Sequence, residues 1–153
     1  MAVQIKFYDQ FPELIGDATS DLDQAADWFH MLVPNTFAFA ATETLRTQVT
    51  EELVTANGYT ASDGVVAGEI LASPTWVNNT GVVTFDAADT TWAATGAGLT
   101  ASDVVLFDTS PTTPLNPIMI SVDFGADETA GPGTNFLIAW NGSGLFTSTA
   151  TDA

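Results

Sequence analysis

The chain has 153 residues, enough for one domain whose core needs neither disulfides nor a metal. It carries nineteen carboxylates and only two cationic side chains, Lys6 and Arg46, so the formal net charge is −17. Nucleic acids and anionic membrane surfaces are therefore excluded as direct partners, because binding their phosphates requires many Lys and Arg side chains.

The beginning of the chain predicts two strands separated by a turn. Residues 3–8 alternate between an apolar and a more polar face, which is the pattern of a β-strand. Pro12 and Gly16 bound a short loop or a single helical turn. The run WFHMLV at residues 28–33 has the length of a strand and ends before Pro34, so it predicts the second strand.

One segment favours a helix. Leu45, Val49 and Leu53 recur at intervals of four residues in TETLRTQVTEELVTANG, which places them on one side of a helix. The spacing predicts a short helix near residues 42 to 55.

From Tyr59 onward the sequence predicts one short strand after another. Gly, Asn, Asp and Pro separate most of them, and the 23 threonines of the chain suit strands and turns. The candidate strands are VVAGEIL, PTWVN, GVVTFDA, TTWAA, DVVLFD, PIMISVDFG, NFLIAW and GLFTST. We therefore predict an all-β fold, an antiparallel β-sandwich or flattened barrel of about eight strands with one short helix, in a single domain over residues 1–153.

The strand predicted at residues 134–140 is apolar on both sides. Phe136, Ile138 and Trp140 should point one way, and Leu137 and Ala139 the other. A strand of this kind needs a layer over each face. We expect the helix or a neighbouring subunit to supply the second layer.

Candidate catalytic and metal-binding residues are few. The single histidine, His30, lies within a predicted strand beside apolar residues, where a core position is expected, and no G-x-S-x-G motif accompanies it. No acidic segment has the spacing of a calcium loop, although Asp86 and Asp89 could share an ion. The absence of cysteine excludes thiolate sites and disulfides. We predict no catalytic residues, no metal ligands and no cofactor.

Tryptophans offer another kind of site, because exposed indole rings stack on sugars. Trp76, Trp92 and Trp140 are candidates by residue type. Each lies among apolar neighbours, so core packing is the default expectation.

The order of motifs along the chain resembles that of small virion proteins encoded among the structural genes of tailed bacteriophages. The motifs are IKFYDQF, NGYT, PTWVNNTGVVTFDAADTTW, DVVLFDTSPTTPLNPIMISVDFG and AGPGTNFLIAWNGSGLF. They extend over nearly the whole chain and comprise turns and aromatic residues, without a catalytic signature. The sequence departs from the family pattern between residues 28 and 56.

The resemblance implies a β-sandwich or barrel protein that decorates, or cements, the exterior of the capsid. It implies the major capsid protein as partner, a homotrimer, and no enzymatic activity. The N-terminus has no signal peptide, so we expect synthesis in the host cytoplasm and a final location in the virion. The alternative is a tail-associated or glycan-binding module directed at a receptor.

The N-terminal segment, residues 1–11, is the predicted contact with the capsid or with a neighbouring subunit. It contains one of the two basic side chains, and Lys6, Phe7, Tyr8 and Phe11 are its candidate contact residues. An ordinary edge strand is the alternative interpretation of the same residues.

Overall fold

The computed structural model describes residues 2–24, 27–62 and 69–149, and within them the fold is an all-β sandwich, as predicted. The strands are β1 (Gln4–Phe7), β2 (Trp28–Val33), β3 (Glu69–Ile70), β4 (Thr75–Asn79), β5 (Val82–Asp86), β6 (Thr90–Ala93), β7 (Leu99–Asp108), β8 (Ile118–Ala130), β9 (Asn135–Ile138) and β10 (Phe146–Thr149). The candidate strand VVAGEIL lies partly outside the described residues, and β3 is its described part.

All strand pairs of the described residues are antiparallel. The largest sheet has five strands in the order β1-β8-β7-β2-β3. The other strands form a three-stranded sheet, β10-β5-β4, and a two-stranded sheet, β6-β9. Edge strands of the three sheets are therefore β1, β3, β4 and β10, together with both strands of the smallest sheet.

The main core lies on one face of the five-stranded sheet. Side chains of β2, β7 and β8 pack there against side chains from the two smaller sheets, and the fully buried members include Trp28, Leu32, Leu106, Ile120 and Phe85. The rings of Trp28 and Phe85 lie 5.6 Å apart. Aromatic residues spread through the strands thus join the layers of the sandwich.

A second apolar cluster covers the opposite face of the same sheet. It contains residues of β2, β7 and β8 with alternate register, such as Phe29, Met31 and Phe107. Val49 is buried in this cluster, and Phe37 and Phe39 pack against it. The irregular segment 34–62 therefore supplies a second layer, which explains why all six residues of β2 are buried.

The helix predicted near residues 42 to 55 is wrong. A single 3-10 turn, Arg46–Gln48, occupies that segment, and Leu45 before it has an extended backbone that bridges to Pro117. Val49 packs in the second cluster and Leu53 against the main core, so the apolar side chains do not share one face. Hydrogen bonds to distant residues replace helical ones in this segment.

Some of these hydrogen bonds join the segment to the backbone of β2. The Leu53 N–H donates to the Leu32 carbonyl at 2.9 Å, and the Tyr59 hydroxyl accepts from the Leu32 N–H at 3.1 Å. Tyr59 then donates to the Glu52 carboxylate at 2.8 Å, which also forms an ion pair with Arg46. The Ser62 backbone N–H donates to the same carboxylate at 2.6 Å.

The segment predicted as a short loop or a single helical turn forms the helical turn α1 (Phe11–Gly16), with Pro12 in its first turn. Leu14 is its buried residue. The helix places the ring of Phe11 4.9 Å from the ring of Phe7 and 5.7 Å from that of Phe146. An aromatic group thereby links β1, α1 and β10.

Candidate functional site

A groove of about 590 Å³ lies beside β9. β1 and β8 form one wall, and β9 with the chain that leads to β10 forms the other. Its main apolar side chains are Val3, Ile5, Val122, Phe124, Leu137 and Trp140. We call this surface the β9 groove.

Exposed apolar side chains concentrate in this groove. Val3 is 63% exposed, Ile5 36% and Leu137 55%. Among the described residues, eight large apolar side chains are exposed, and these three of them line the same groove. Three exposed apolar side chains around one groove make it a candidate binding surface.

The geometry of β9 answers the question raised by its two apolar faces. Phe136 and Ile138 are buried in the core, whereas Leu137 between them is exposed. β9 ends at Ile138, and Trp140 lies beyond it, half-buried at the groove. The exposure of Leu137 shows that no layer of the described residues covers the second face of β9, and its pairing with β6 alone leaves its other edge free among those residues.

β1 presents its apolar side to the same groove. Lys6 and Tyr8 belong to the other side of the strand, where the Lys6 ammonium lies 5.6 Å from the centroid of the Phe39 ring. β1 is an edge strand that pairs with β8, with Ile5 opposite Val122. Ile5 and Val122 therefore belong to one continuous apolar wall.

An irregularity in β8 shapes this wall. Asp123 pairs with Asp103 and Glu128 with Ala101, so β8 has additional residues opposite the single Ser102 of β7. Gly125 lies within them at a φ of 81°, a left-handed conformation that side chains rarely adopt, and its N–H donates to Asp123 at 2.7 Å. Bulges of this kind bend the strand that carries the additional residues.

A few polar groups accompany the apolar lining. The buried Nε1 of Trp140 has no hydrogen-bond acceptor among the described residues. The Trp140 backbone N–H donates to Asp89 at 2.9 Å, which fixes the chain beyond β9. Glu128, Asn135 and Asn141 also line the groove, and Glu128 is exposed and forms no ion pair among the described residues.

The structure separates the four predicted contact residues of the N-terminal segment. Phe7 is 39% exposed and Phe11 is half-buried, so both reach the surface. Lys6 is half-buried and pairs with Asp123 at 3.0 Å, and this hydrogen bond lowers the pKa of the Asp123 carboxyl. Tyr8 is fully buried in the second cluster, so its inclusion among the surface contact residues needs correction.

Tyr8 is a structural residue. Burial is the main cause that raises the pKa of its phenol well above the usual range, and the nearby carboxylate of Glu43 adds to it. Its ring lies 4.8 Å from that of Phe39. The phenol therefore stays neutral at physiological pH and anchors segment 34–62 to the sheet.

His30 is a core residue, and its position is poor for acid–base chemistry. It is fully buried, its ring meets Trp92 edge-on at 5.2 Å, and burial lowers its pKa to about 3. Neither ring nitrogen has a hydrogen-bond partner among the described residues. A general base needs a partner to orient it and access to a substrate.

The carboxylates considered for an ion have local structural roles. Asp86 accepts a hydrogen bond from the Ala87 N–H at 2.9 Å, and Asp89 accepts the one from Trp140. Over the described ranges, no group of three or more His, Asp or Glu side chains is placed to hold a metal ion.

The three tryptophans considered for sugar stacking occupy different environments. Trp92 is buried in the main core, and Trp76 is half-buried with its ring 5.8 Å from Phe146. Trp140 alone of the three lines the β9 groove. Sequence reasoning did not predict this groove, although the two apolar faces of residues 134–140 were its signal.

The chain matches no protein-family model, and searches of curated proteins and of solved structures gave no match. None of its described helices has the length and apolar character needed to cross a membrane.

Proposed function

We propose that this protein is a structural virion component that decorates the exterior of a tailed-phage capsid. The observation that carries the proposal is the β9 groove, where exposed aliphatic side chains gather on an otherwise acidic protein. The motif order described above supports the phage assignment. The proposed partner is the major capsid protein, and the proposed assembled form is a homotrimer made in the host cytoplasm.

A decoration protein stabilises the mature shell because it binds that shell and not its precursor. Any ligand that binds one state of an assembly and not another stabilises the bound state by linkage. Weak contacts that are repeated by symmetry over the shell add up to a large binding free energy. No catalytic residue or cofactor is required for this role.

The direct test is binding to purified empty mature shells, followed by co-sedimentation and quantitative mass spectrometry. We expect saturable binding at a simple ratio to the major capsid protein. Val3→Asp should weaken binding because it places a charge on the apolar wall of the groove, while Val54→Asp should not. Val54 is 77% exposed and lies outside the groove, which makes it a matched control. Absence of saturable binding by the unaltered protein would contradict the proposal.

Glycan binding is the second candidate, and Trp140 is the observation that favours it. An indole beside Asn135 and Asn141 combines a stacking surface with amide hydrogen bonds. Saturable quenching of tryptophan fluorescence by an oligosaccharide, lost in Trp140→Ala, would support the tail-associated alternative. The exposed aliphatic side chains of the groove favour a protein partner over a sugar.

A further inference from the structure

We propose that the β9 groove binds an extended segment of a partner protein whose apolar side chains alternate with Lys or Arg. The segment adds a strand to the free edge of β9 and packs over β1 and β8. This inference rests on the proposed function in one respect, because it takes the partner to be a protein of the capsid.

The order of the strands leaves room for an additional strand beside β9. The two-stranded sheet ends at β9, the three-stranded sheet ends at β10, and the groove is lined by β9 and by Gly144 and Leu145 just before β10. The other wall is the apolar face of β1 and β8. An added strand would therefore continue the second layer of the sandwich over a part of the first layer that is uncovered.

The free edge supplies the hydrogen bonds for such a strand. In an antiparallel pair, alternate residues direct their N–H and C=O groups away from the partner strand, so an edge strand offers unpaired groups to an incoming chain. β9 has four residues, which matches a segment of about four residues or roughly 13 Å at about 3.3 Å per residue.

The apolar lining defines alternate side chains of the segment. Residues of a strand that point toward β1 and β8 would meet Val3, Ile5 and Phe124. Those residues must be apolar, since Val3 and Ile5 are exposed without them. The intervening residues point away from this wall, toward solvent and the polar rim.

Charge defines the intervening residues. Both basic side chains of the chain form ion pairs, Lys6 with Asp123 and Arg46 with Glu52, so the other carboxylates in the described part of the chain have no Lys or Arg partner. Glu128 is one of them and lies on the groove. A segment with Lys or Arg complements this charge, whereas a second copy of the chain would bring a further net charge of −17.

The test is a titration of the ¹⁵N-labelled full chain with a capped synthetic peptide of alternating valine and lysine, followed by NMR. We expect saturable shifts of the Trp140 indole N–H and the Leu137 amide, with a dissociation constant below about 1 mM. The matched peptide with glutamate in place of lysine should bind at least about tenfold more weakly, because like charges repel. The Trp140 indole signal is identified by its loss in Trp140→Phe.

Variants locate the binding to the groove. Val3→Asp, which puts a carboxylate on the β1 wall against the valines, should weaken binding of the valine–lysine peptide at least about tenfold, and Glu128→Gln about two- to fivefold, as for an exposed ion pair. Val54→Asp should bind it with unchanged affinity.

Several results would overturn the inference. Non-saturating shifts spread over the acidic surface would indicate unspecific attraction. Shifts of the same signals with protein concentration alone would assign the groove to a second copy, and shifts with an oligosaccharide in place of the peptide would assign it to a glycan.

Shell binding by the same variants separates this inference from the proposed function. Loss of peptide binding in Val3→Asp with undiminished shell binding would overturn the groove as the capsid contact and leave decoration intact. Peptide binding by a protein that never binds shells would overturn decoration and leave the peptide site.

Discussion

At the scale of single residues, β9 offers two neighbouring aliphatic side chains with opposite environments. Ile138 is 6% exposed in the core, whereas Leu137 is 55% exposed in the groove. Ile138→Ala should lower the free energy of unfolding by about 2–4 kcal/mol through lost burial and a cavity. Leu137→Ala should change it by less than about 0.5 kcal/mol. Chemical denaturation measures both, and equal losses would mean that Leu137 is covered in solution.

His30 gives a residue-scale prediction about pH. The unfolded chain binds a proton on His30 near its ordinary pKa of 6.5, but burial lowers the pKa in the folded protein to about 3. The unfolded state therefore gains protons first as pH falls, and stability decreases below about pH 6.5 by up to about 1.4 kcal/mol per pH unit. Denaturation at pH 7 and pH 5 should show a larger loss for the unaltered protein than for His30→Leu.

Two buried carboxyl groups have the opposite effect on the pH dependence of stability. Burial raises the pKa of Asp103 and of Asp108, so the folded state binds their protons at a higher pH than the unfolded state, and acid stabilises it. These groups are present in both proteins of the comparison and cancel from the difference. An identical pH dependence of the two proteins would mean that the pKa of His30 is the same in the folded and the unfolded protein.

At the scale of elements, the stability of the irregular segment 34–62 should depend on Glu52. The Glu52 side chain is 7% exposed, and its carboxylate accepts hydrogen bonds from Arg46, Tyr59 and Ser62. Glu52→Ala leaves the Arg46 charge without its partner and should lower the free energy of unfolding by about 3 kcal/mol. Glu13→Ala, at an exposed site on α1, should stay within about 0.5 kcal/mol. Similar small losses in both variants would show that the network contributes little.

The strands could be predicted from the sequence because their signals are local. The apolar run at residues 28–33 and the turn residues between later strands predict β2 and β4 to β10, although β7 (Leu99–Asp108) begins before the predicted DVVLFD and β8 (Ile118–Ala130) extends beyond the predicted PIMISVDFG. The segment 42–55 has equally regular apolar spacing, yet its side chains divide between two clusters and its backbone bonds to distant strands. Tertiary hydrogen bonds of that kind leave no periodic trace in the sequence.

The groove could be predicted only in part. Alternation along β1 separates Val3, Ile5 and Phe7 from Lys6 and Tyr8, as observed, but it cannot tell which side faces the core. The more apolar side is the exposed one, and Tyr8 of the other side is buried because segment 34–62 covers it. That assignment depends on packing between residues far apart in the chain.

At the scale of the whole molecule, the excess of carboxylates should make stability depend on salt. A net charge of −17 repels itself in the folded state, and the two cations are already paired. Salt shortens the screening length from about 30 Å at 0.01 M to about 3 Å at 1 M. The melting temperature should therefore rise with sodium chloride, by about 2–4 °C for each kcal/mol of repulsion relieved.

Thermal unfolding in sodium chloride and in choline chloride separates screening from sodium binding, since screening predicts the same rise in both salts. Glu13→Lys is a matched variant that reduces the net negative charge by two at an exposed site. Its melting temperature should exceed that of the unaltered protein at low salt and approach it at high salt. A melting temperature that does not change with salt would mean that the carboxylates are too far apart to repel each other, so that acidity affects the partners of this protein and not its stability.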